Sequence, residues 1–354
     1  MARRELLESG RYLVTGGAGF IGSNFVRHIR ARFPRARVTV LDKLTYAGNP
    51  ANLAGLERTG GFEFVRGDIC DAPLVDRLIA AGCDWVLNFA AETHVDRSIG
   101  DPGQFVQTDV YGVYVLLEAI RRRGGVARFV QISTDEVYGE VLGGASTEEA
   151  PLVPRNPYAA SKAGGDRLAY SYHATYGLPV VITRCSNNYG PYQYPEKLIP
   201  LFTTNALDHQ KLPVYGTGRN VRDWIHVQDH VQALVTLLAA EDADGEVFNI
   251  GAGNEKNVLE IADMILEATG RPKGLLAHVV DRPGHDRRYA VDWGKIARKT
   301  GWQPEIPFEQ GIRDTVRWYQ ENESWWRPLK SGEFWEFYQK NYKFLDGQDG
   351  TPES

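Results

Sequence analysis

The sequence predicts an α/β fold, a doubly wound parallel sheet followed by a smaller mixed α/β lobe. Three observations carry this. Short apolar runs alternate with longer amphipathic stretches through the first half, the pattern of βαβ units. A glycine-rich stretch, "TGGAGFIGS" (15–23), lies between the first apolar run and the first amphipathic one. After about Asn187 the texture changes, with Pro and Gly frequent in "YGPYQYPEKLIP" and "LPVYGTGRN".

The elements follow in order. "RYLVT" (11–15) reads as a strand, then a glycine turn, then a helix over 21–32. "RVTVLD" (37–42), "FEFVRG" (62–67), "WVLNFA" (85–90), "RFVQIS" (128–133) and "PVVITR" (179–184) are rich in β-branched and aromatic residues and read as strands. Helices are expected at 71–81, 101–123 and 158–176, and later at 228–241 and 257–269. This places a dinucleotide-binding domain at 10–186, carrying the chemistry, and a substrate lobe at 187–343 from which some segments return to the large domain. The polar, Gly/Pro-containing end, 344–354, reads as a disordered tail. Trp325, Trp326, Phe334 and Trp335 are expected to pack as a cap over the small lobe.

The chain has 354 residues and a net charge of −5, which points away from nucleic acid or an anionic membrane as partner. Three scattered cysteines (Cys70, Cys83, Cys185) without CxxC spacing argue against a metal or disulfide framework and suit a reducing cytoplasm. The first ten residues lack an apolar segment of the signal-peptide kind, and no apolar run is long enough to span a bilayer. A cytoplasmic location is expected.

The glycine stretch gives Gly16-x-x-Gly19-x-x-Gly22 between a strand and a helix, with Phe20 and Ile21 at the helix start. Glycine lets backbone N–H groups approach a pyrophosphate at a helix N-terminus. Asp42 ends the second strand and can take the ribose hydroxyls of NAD, whereas it would repel the extra phosphate of NADP. Lys43 follows and tempers that preference for NAD. Together these features define a Rossmann-type site. Asp68, at the end of "FEFVRGD", is placed near the adenine or as the N-cap of the next helix.

"NPYAASKAGG" sets Tyr158 and Lys162 four apart on one helix face. A tyrosine with a pKa of about 10 becomes a usable base beside an ammonium and a cationic nicotinamide ring. Gly164 and Gly165 in the same helix imply close approach of a neighbouring helix or of the cofactor. "STDEVYG" (133–139) then places Asp135 and Glu136 side by side at the end of a strand, where such folds put ligands. A solvated acidic turn is the plain alternative, and "STEEAP" (146–151) is one such turn.

These segments, with "LDKLTYAGN", "AAETHVDRS", "NNYGPYQYPEKLIP", "RDWIHVQDH" and "DRPGHDRRYAVD", together resemble the dTDP-glucose 4,6-dehydratase family of the extended short-chain dehydrogenase/reductase superfamily, from about residue 10 to 343. The resemblance implies a hydro-lyase using NAD on dTDP-glucose. It implies that Tyr158 takes the C4 hydroxyl proton with Lys162 beside it, that Thr134 contacts the C4 oxygen, that Glu136 is the C5 base and Asp135 the C6 acid. It further implies cofactor contacts at Lys43, Thr45, Ile69, Ala90, Ala91, Thr108 and Asn188. Substrate contacts are implied at Thr93, Asn187, Lys197, Leu198, Pro213, Tyr215, Arg222, Asn257, Asp281, Arg282 and His285. Thr93 stands where the family usually has Ser. His94 is expected to be packed or capping, with no catalytic role. The family forms homodimers through two helices per subunit, here 101–123 and 158–176. Rival readings are a nucleotide-sugar 4-epimerase or decarboxylase, a GDP-mannose dehydratase, and a non-catalytic NAD sensor. An epimerase, a decarboxylase or a sensor has no need of Asp135 beside Glu136, and a GDP-mannose dehydratase generally carries a different residue where Asp135 stands and often uses NADP.

Overall fold

The computed structural model describes residues 3–58 and 60–342. Its strands are β1 (Arg11–Thr15), β2 (Arg37–Asp42), β3 (Phe62–Arg66), β4 (Trp85–Asn88), β5 (Arg128–Thr134), β6 (Val180–Cys185), β7 (Asn187–Tyr189), β8 (Leu212–Tyr215), β9 (Val221–His226), β10 (Val247–Ile250), β11 (Glu255–Asn257) and β12 (Leu276–Val279). Seven form one parallel sheet in the order β10-β6-β5-β4-β1-β2-β3. The order reverses between β1 and β4, and the crevice at that switch point is where a doubly wound sheet binds its ligand. β10 comes from the second half of the chain, so a late segment does return to the large sheet. Smaller sheets, β11-β9-β7 and β12-β8, make up the rest.

The helices are α1 (Arg3–Ser9), α2 (Phe20–Arg32), α3 (Ala72–Ala80), α4 (Val95–Gly100), α5 (Pro102–Val106), α6 (Val113–Arg123), α7 (Pro157–Tyr176), α8 (Leu198–Leu207), α9 (Val227–Ala239), α10 (Val258–Thr269), α11 (Gly294–Thr300), α12 (Phe308–Glu321), α13 (Glu323–Trp326) and α14 (Glu333–Asn341). Strands buried on both faces need helices on both. α1, α2, α9 and α11 bury Leu7, Phe25, Ile29, Leu234 and Ile296 on one side, and α3, α6 and α7 bury Val75, Leu116 and Ala169 on the other. A separate core around Phe202, Ile261, Ile312 and Phe334 holds the substrate side together.

Two expectations meet a difference, and one helix was not expected. The helix over 101–123 is broken into α5, a π-helical turn (Gln107–Gly112) and α6. Its extra residue turns Asp109 inward, where Ser161 and the Glu92 amide hold it. α1 precedes β1, where the sequence offers no clear signal. It is pinned by buried Leu7 and by Arg3, which pairs with Asp244 at 2.5 Å. Trp325 does more than cap the small lobe, because its indole N–H donates to Asn52 Oδ1 (2.9 Å) in the large half. Phe334 and Trp335 do pack on the small-lobe core. The expected tail over 344–354 lies outside the described residues.

Candidate active site

The ends of β1 and β4 and the middle of β5 are tied together by a buried ladder. Thr15 Oγ1 donates to Asn88 Oδ1 (2.6 Å), and Asn88 Nδ2 donates to Gln131 Oε1 (2.9 Å). Above it opens a cavity of about 300 Å³, lined by every residue expected to touch the cofactor. Gly16 has φ +66°, and a Cβ there would lie 2.6 Å from the Ala90 amide nitrogen. A Cβ on Gly22 would lie 2.4 Å from Gly16 O. Gly19 caps α2 and no described side chain covers the helix end, so the first-turn N–H groups face the cavity for an anion. This cradle, which side chains would fill, fits a dinucleotide pyrophosphate.

Asp42 is fixed at both oxygens, Oδ1 by Leu44 N (2.8 Å) and Oδ2 by Ala18 N (2.9 Å). Each carboxylate oxygen keeps a further lone pair for a ribose hydroxyl. The Lys43 ammonium pairs with Asp68 at 2.8 Å. That pairing occupies the cation next to Asp42 in sequence, and with Asp42 free to take ribose hydroxyls the site fits NAD. Asp68 also accepts from Cys70 N, but the N-cap of α3 is Asp71, whose Oδ1 accepts from Leu74 N (3.1 Å). The N-cap expectation for Asp68 is therefore corrected, while its place in the cavity wall stands.

Deeper in the same cavity lie Thr134, Asp135, Glu136, Tyr158 and Lys162. Thr134 ends β5 and caps the short 3-10 turn Asp135–Tyr138, its Oγ1 accepting from Glu136 N (3.3 Å). The same hydroxyl donates to Asp135 Oδ1 (3.2 Å). Asp135 is 3% exposed, and its Oδ2 has no partner among the described residues. Burial, then the neighbouring Glu136, push its pKa well above the usual carboxylate range. Glu136 Oε2 accepts from Asn156 Nδ2 (3.3 Å) and faces the Tyr289 hydroxyl (3.4 Å). Asn156 caps α7, with Oδ1 accepting from Ala159 N (2.8 Å), so one residue ties the acid pair to the helix bearing Tyr158 and Lys162. Lys162 Nζ donates to Ile132 O (2.7 Å). Burial, then Glu136, push the Tyr158 phenol well above its ordinary pKa, so a positive charge must come to it before it can act as a base.

A second cavity of about 170 Å³ adjoins the first and shares Thr93, Glu136, Asn187, Glu196 and Lys197 with it. Leu198, Pro213, Tyr215, Arg222, Arg282 and His285 line it as well. Arg222 donates to Asp286 O (3.0 Å) and Val221 O (2.8 Å), with its guanidinium 4.3 Å over the Tyr289 ring. Arg282 pairs with Asp96 (3.1 Å), and Lys197 Nζ donates to Thr93 O (2.8 Å). Three cations around one cavity suit a diphosphate. Asn257 and Asp281 do not line either cavity. Asn257 caps α10 through a reciprocal pair with Glu260, and Asp281 accepts from Arg282 N and His285 Nδ1. Their side chains are spent on holding the pocket's frame. Asn188 is likewise committed to Ser186 O and His230 at the wall of the larger cavity. His94 is buried against Phe337, with ring centroids 4.8 Å apart, and burial drives its pKa well down.

Sequence reasoning missed Glu196, Tyr289 and Asn156. Asn156 had a signal, since Asn before a Pro-initiated helix is an N-cap. Glu196 is read only as part of a Pro-rich loop, and the structure puts it in the walls of both cavities.

A glycine-cradled dinucleotide cleft opening onto a buried Thr–Asp–Glu–Tyr–Lys set defines an NAD-dependent nucleotide-sugar enzyme of the short-chain dehydrogenase/reductase superfamily. The family model for GDP-mannose 4,6 dehydratase matches residues 13–315. A dTDP-glucose 4,6-dehydratase of Streptomyces niveus is 55% identical over 325 residues, covering 91% of this chain and 96% of that protein. The dTDP-glucose 4,6-dehydratase 1 of Escherichia coli K12 is 47% identical over 359 residues, covering 94% and 99%. The crystal structure of DesIV, the dTDP-glucose 4,6-dehydratase of Streptomyces venezuelae, solved with NAD bound, aligns with a TM-score of 0.88 at 51% identity, covering 90% of this chain and all of that one. The chain belongs to the dTDP-glucose 4,6-dehydratase family, a family of NAD-dependent hydro-lyases.

Proposed function

We propose that this enzyme converts dTDP-glucose to dTDP-4-keto-6-deoxyglucose and water, and that the residues gathered in the two cavities divide the work as follows. The observation that carries the reading is Asp135, buried beside Glu136 with one hydrogen bond from Thr134 and an Oδ2 that has no partner among the described residues. NAD+, when bound, accepts hydride from C4 of the glucose and returns it to C6. Tyr158 takes the C4 hydroxyl proton, helped by the Lys162 charge, and Thr134 orients the C4 oxygen. The C4 ketone acidifies the C5 hydrogen, and Glu136 removes it. Asp135, kept neutral by its surroundings, protonates the departing C6 hydroxyl. Glu136 then returns its proton to C5. Arg222, Lys197 and Arg282 hold the diphosphate.

The large body of residues 10–186 would bind the cofactor and carry the chemistry, and 187–343 would bind the nucleotide. The broken helix α5–α6 and helix α7 would form a homodimer. Among the described residues no helix is long and apolar enough to cross a membrane, and the three cysteines are free. These fit a cytoplasmic enzyme.

The test is dTDP-glucose carrying deuterium at C4. Loss of one water, deuterium at C6 and no net NADH are expected. An epimerised product of unchanged mass, or recovery of intact substrate, would discard the assignment.

A further inference from the structure

The mechanism above does not use Asp109, a carboxylate 2% exposed in the π-helical turn. Its Oδ2 accepts from Ser161 Oγ (2.7 Å) and its Oδ1 from Glu92 N (3.0 Å). Ser161 sits between Tyr158 and Lys162 on α7, and its hydroxyl also reaches Tyr158 O (2.8 Å). The backbone is held as tightly, since a Cβ on Gly165 would lie 2.2 Å from Asp109 O. A buried charge is thus clamped against the helix segment that presents the proposed C4 base. We propose that Asp109 is a positioning residue for Tyr158: its carboxylate supplies a negative charge that opposes the Lys162 ammonium at the phenol and so sets how firmly Tyr158 holds its proton. The inference rests on the role given to Tyr158 above.

A negative charge near a phenol disfavours the phenolate. Burial dominates the upward shift at Tyr158, and Glu136, Cys185 and Asp109 add to it. Asp109 is itself pushed up to about 6 by burial, against the pull of Lys162. The titratable groups facing it are few. The loop after β4 brings Glu92, also raised to about 6 by burial and then by Asp109, with Lys43, Arg97 and Asp68 acting on it in turn. α7 brings Tyr158 and Lys162. The loop after β3 brings Cys70, whose Sγ lies 3.3 Å from Gln107 O. α5 carries no titratable residue, and the charges of α6 gather at its far end, where Glu118 pairs with Arg121 and Asp76 with Arg123. The consequence is a phenol that keeps the proton it has taken from C4 through the elimination, while it still donates to the C4 oxygen.

The test is Asp109→Asn, which keeps the size and an acceptor but removes the charge. In the NAD+ holoenzyme, the acid limb of kcat/KM should move to lower pH by roughly one unit. The carbon-13 resonance of labelled Tyr158, identified by its absence in Tyr158→Phe, should titrate lower by a similar amount. That second readout needs no turnover, so it stands even if dTDP-glucose proves not to be the substrate. An unmoved profile and titration, or an equal loss of rate at every pH with an unmoved titration, overturns the proposal. Should Asp109→Asn fail to fold, Ser161→Ala decides. Loss of its hydrogen bond keeps Asp109 protonated to higher pH, so the Tyr158 titration should move in the same direction by less, and an unmoved one overturns the proposal.

Discussion

Asp135 must be an acid at a pH where a free aspartic acid, with a pKa of about 3.9, has lost its proton. Burial and Glu136 keep the proton on, and that has a consequence for stability as well as for chemistry. The folded state binds this proton more tightly than the unfolded chain does. Stability contributed at this site is therefore full below about pH 3.9 and declines as the pH rises toward the raised folded value. At neutral pH the native carboxyl is a liability that Asn would remove. Asp135→Asn should raise Tm at pH 7, with the difference closing as the pH approaches about 4, while kcat falls roughly 10²- to 10⁴-fold. Thermal melts across pH and steady-state rates check both, and a lower Tm at pH 7 would assign Asp135 an ionised structural role instead. Glu136→Gln makes the complementary change. It should oxidise C4 and stop there, so mixing with substrate should give a lasting NADH absorbance equal to the enzyme present and no dehydrated product. Normal turnover would remove Glu136 from its place in the mechanism.

At the scale of elements, α7 ties the site to the rest of the sheet, and its glycines can be told apart. The Gly165 Cβ position is met by a main-chain oxygen, Asp109 O at 2.2 Å, which cannot step aside without moving the π-helical turn. The Gly164 position is met by Val110 Cγ2 at 2.9 Å, the end of a side chain that can rotate. Gly165→Ala should cost about 1–3 kcal/mol by chemical denaturation, and Gly164→Ala clearly less. Equal gains at both positions would mean that helix propensity, which favours Ala over Gly, rather than contact decides. The sequence left open whether these glycines make room for a helix or for the cofactor, and both contacts are to the helical run preceding α6. That case shows what was legible. Local patterning located α7 and strands β1 to β6 to within a residue or two, because each has one local signal and a buried face, whereas β7 to β12 were not placed. Tyr158, Lys162, Asp135 and Glu136 were legible for the same reason, since each is fixed by its neighbours in sequence. The π-helical turn was not, because it is set by Asp109 reaching Ser161 some fifty residues away. Asn257 and Asp281 were assigned to the pocket by pattern, and only their hydrogen bonds show them supporting its frame.

For the whole molecule, the outer faces of α5–α6 and α7 are the unusual surface. Val106, Tyr111, Tyr114, Tyr170 and Tyr176 are between 42% and 56% exposed, although the inner faces of α6 and α7 pack into the core. Large apolar groups gathered on adjoining helices mark an interaction surface, and a self-complementary one closes most simply as a two-fold dimer. Such a dimer would bury the outer side of the helical run whose inner side carries Thr108 and Asp109, so association and the catalytic helix would be mechanically joined. Placing two glutamates on this face, Tyr114→Glu with Tyr170→Glu, sets like charges against their symmetry mates in the interface. Sedimentation should then give a species of half the parent's mass, with a Tm that no longer rises with protein concentration. Because the π-helical turn loses its outer support, kcat should fall several-fold even where the monomer stays folded by circular dichroism. A double variant that sediments as the parent does would move the interface elsewhere. A monomer with the parent's kcat would leave the dimer in place and cut its link to the Tyr158 helix.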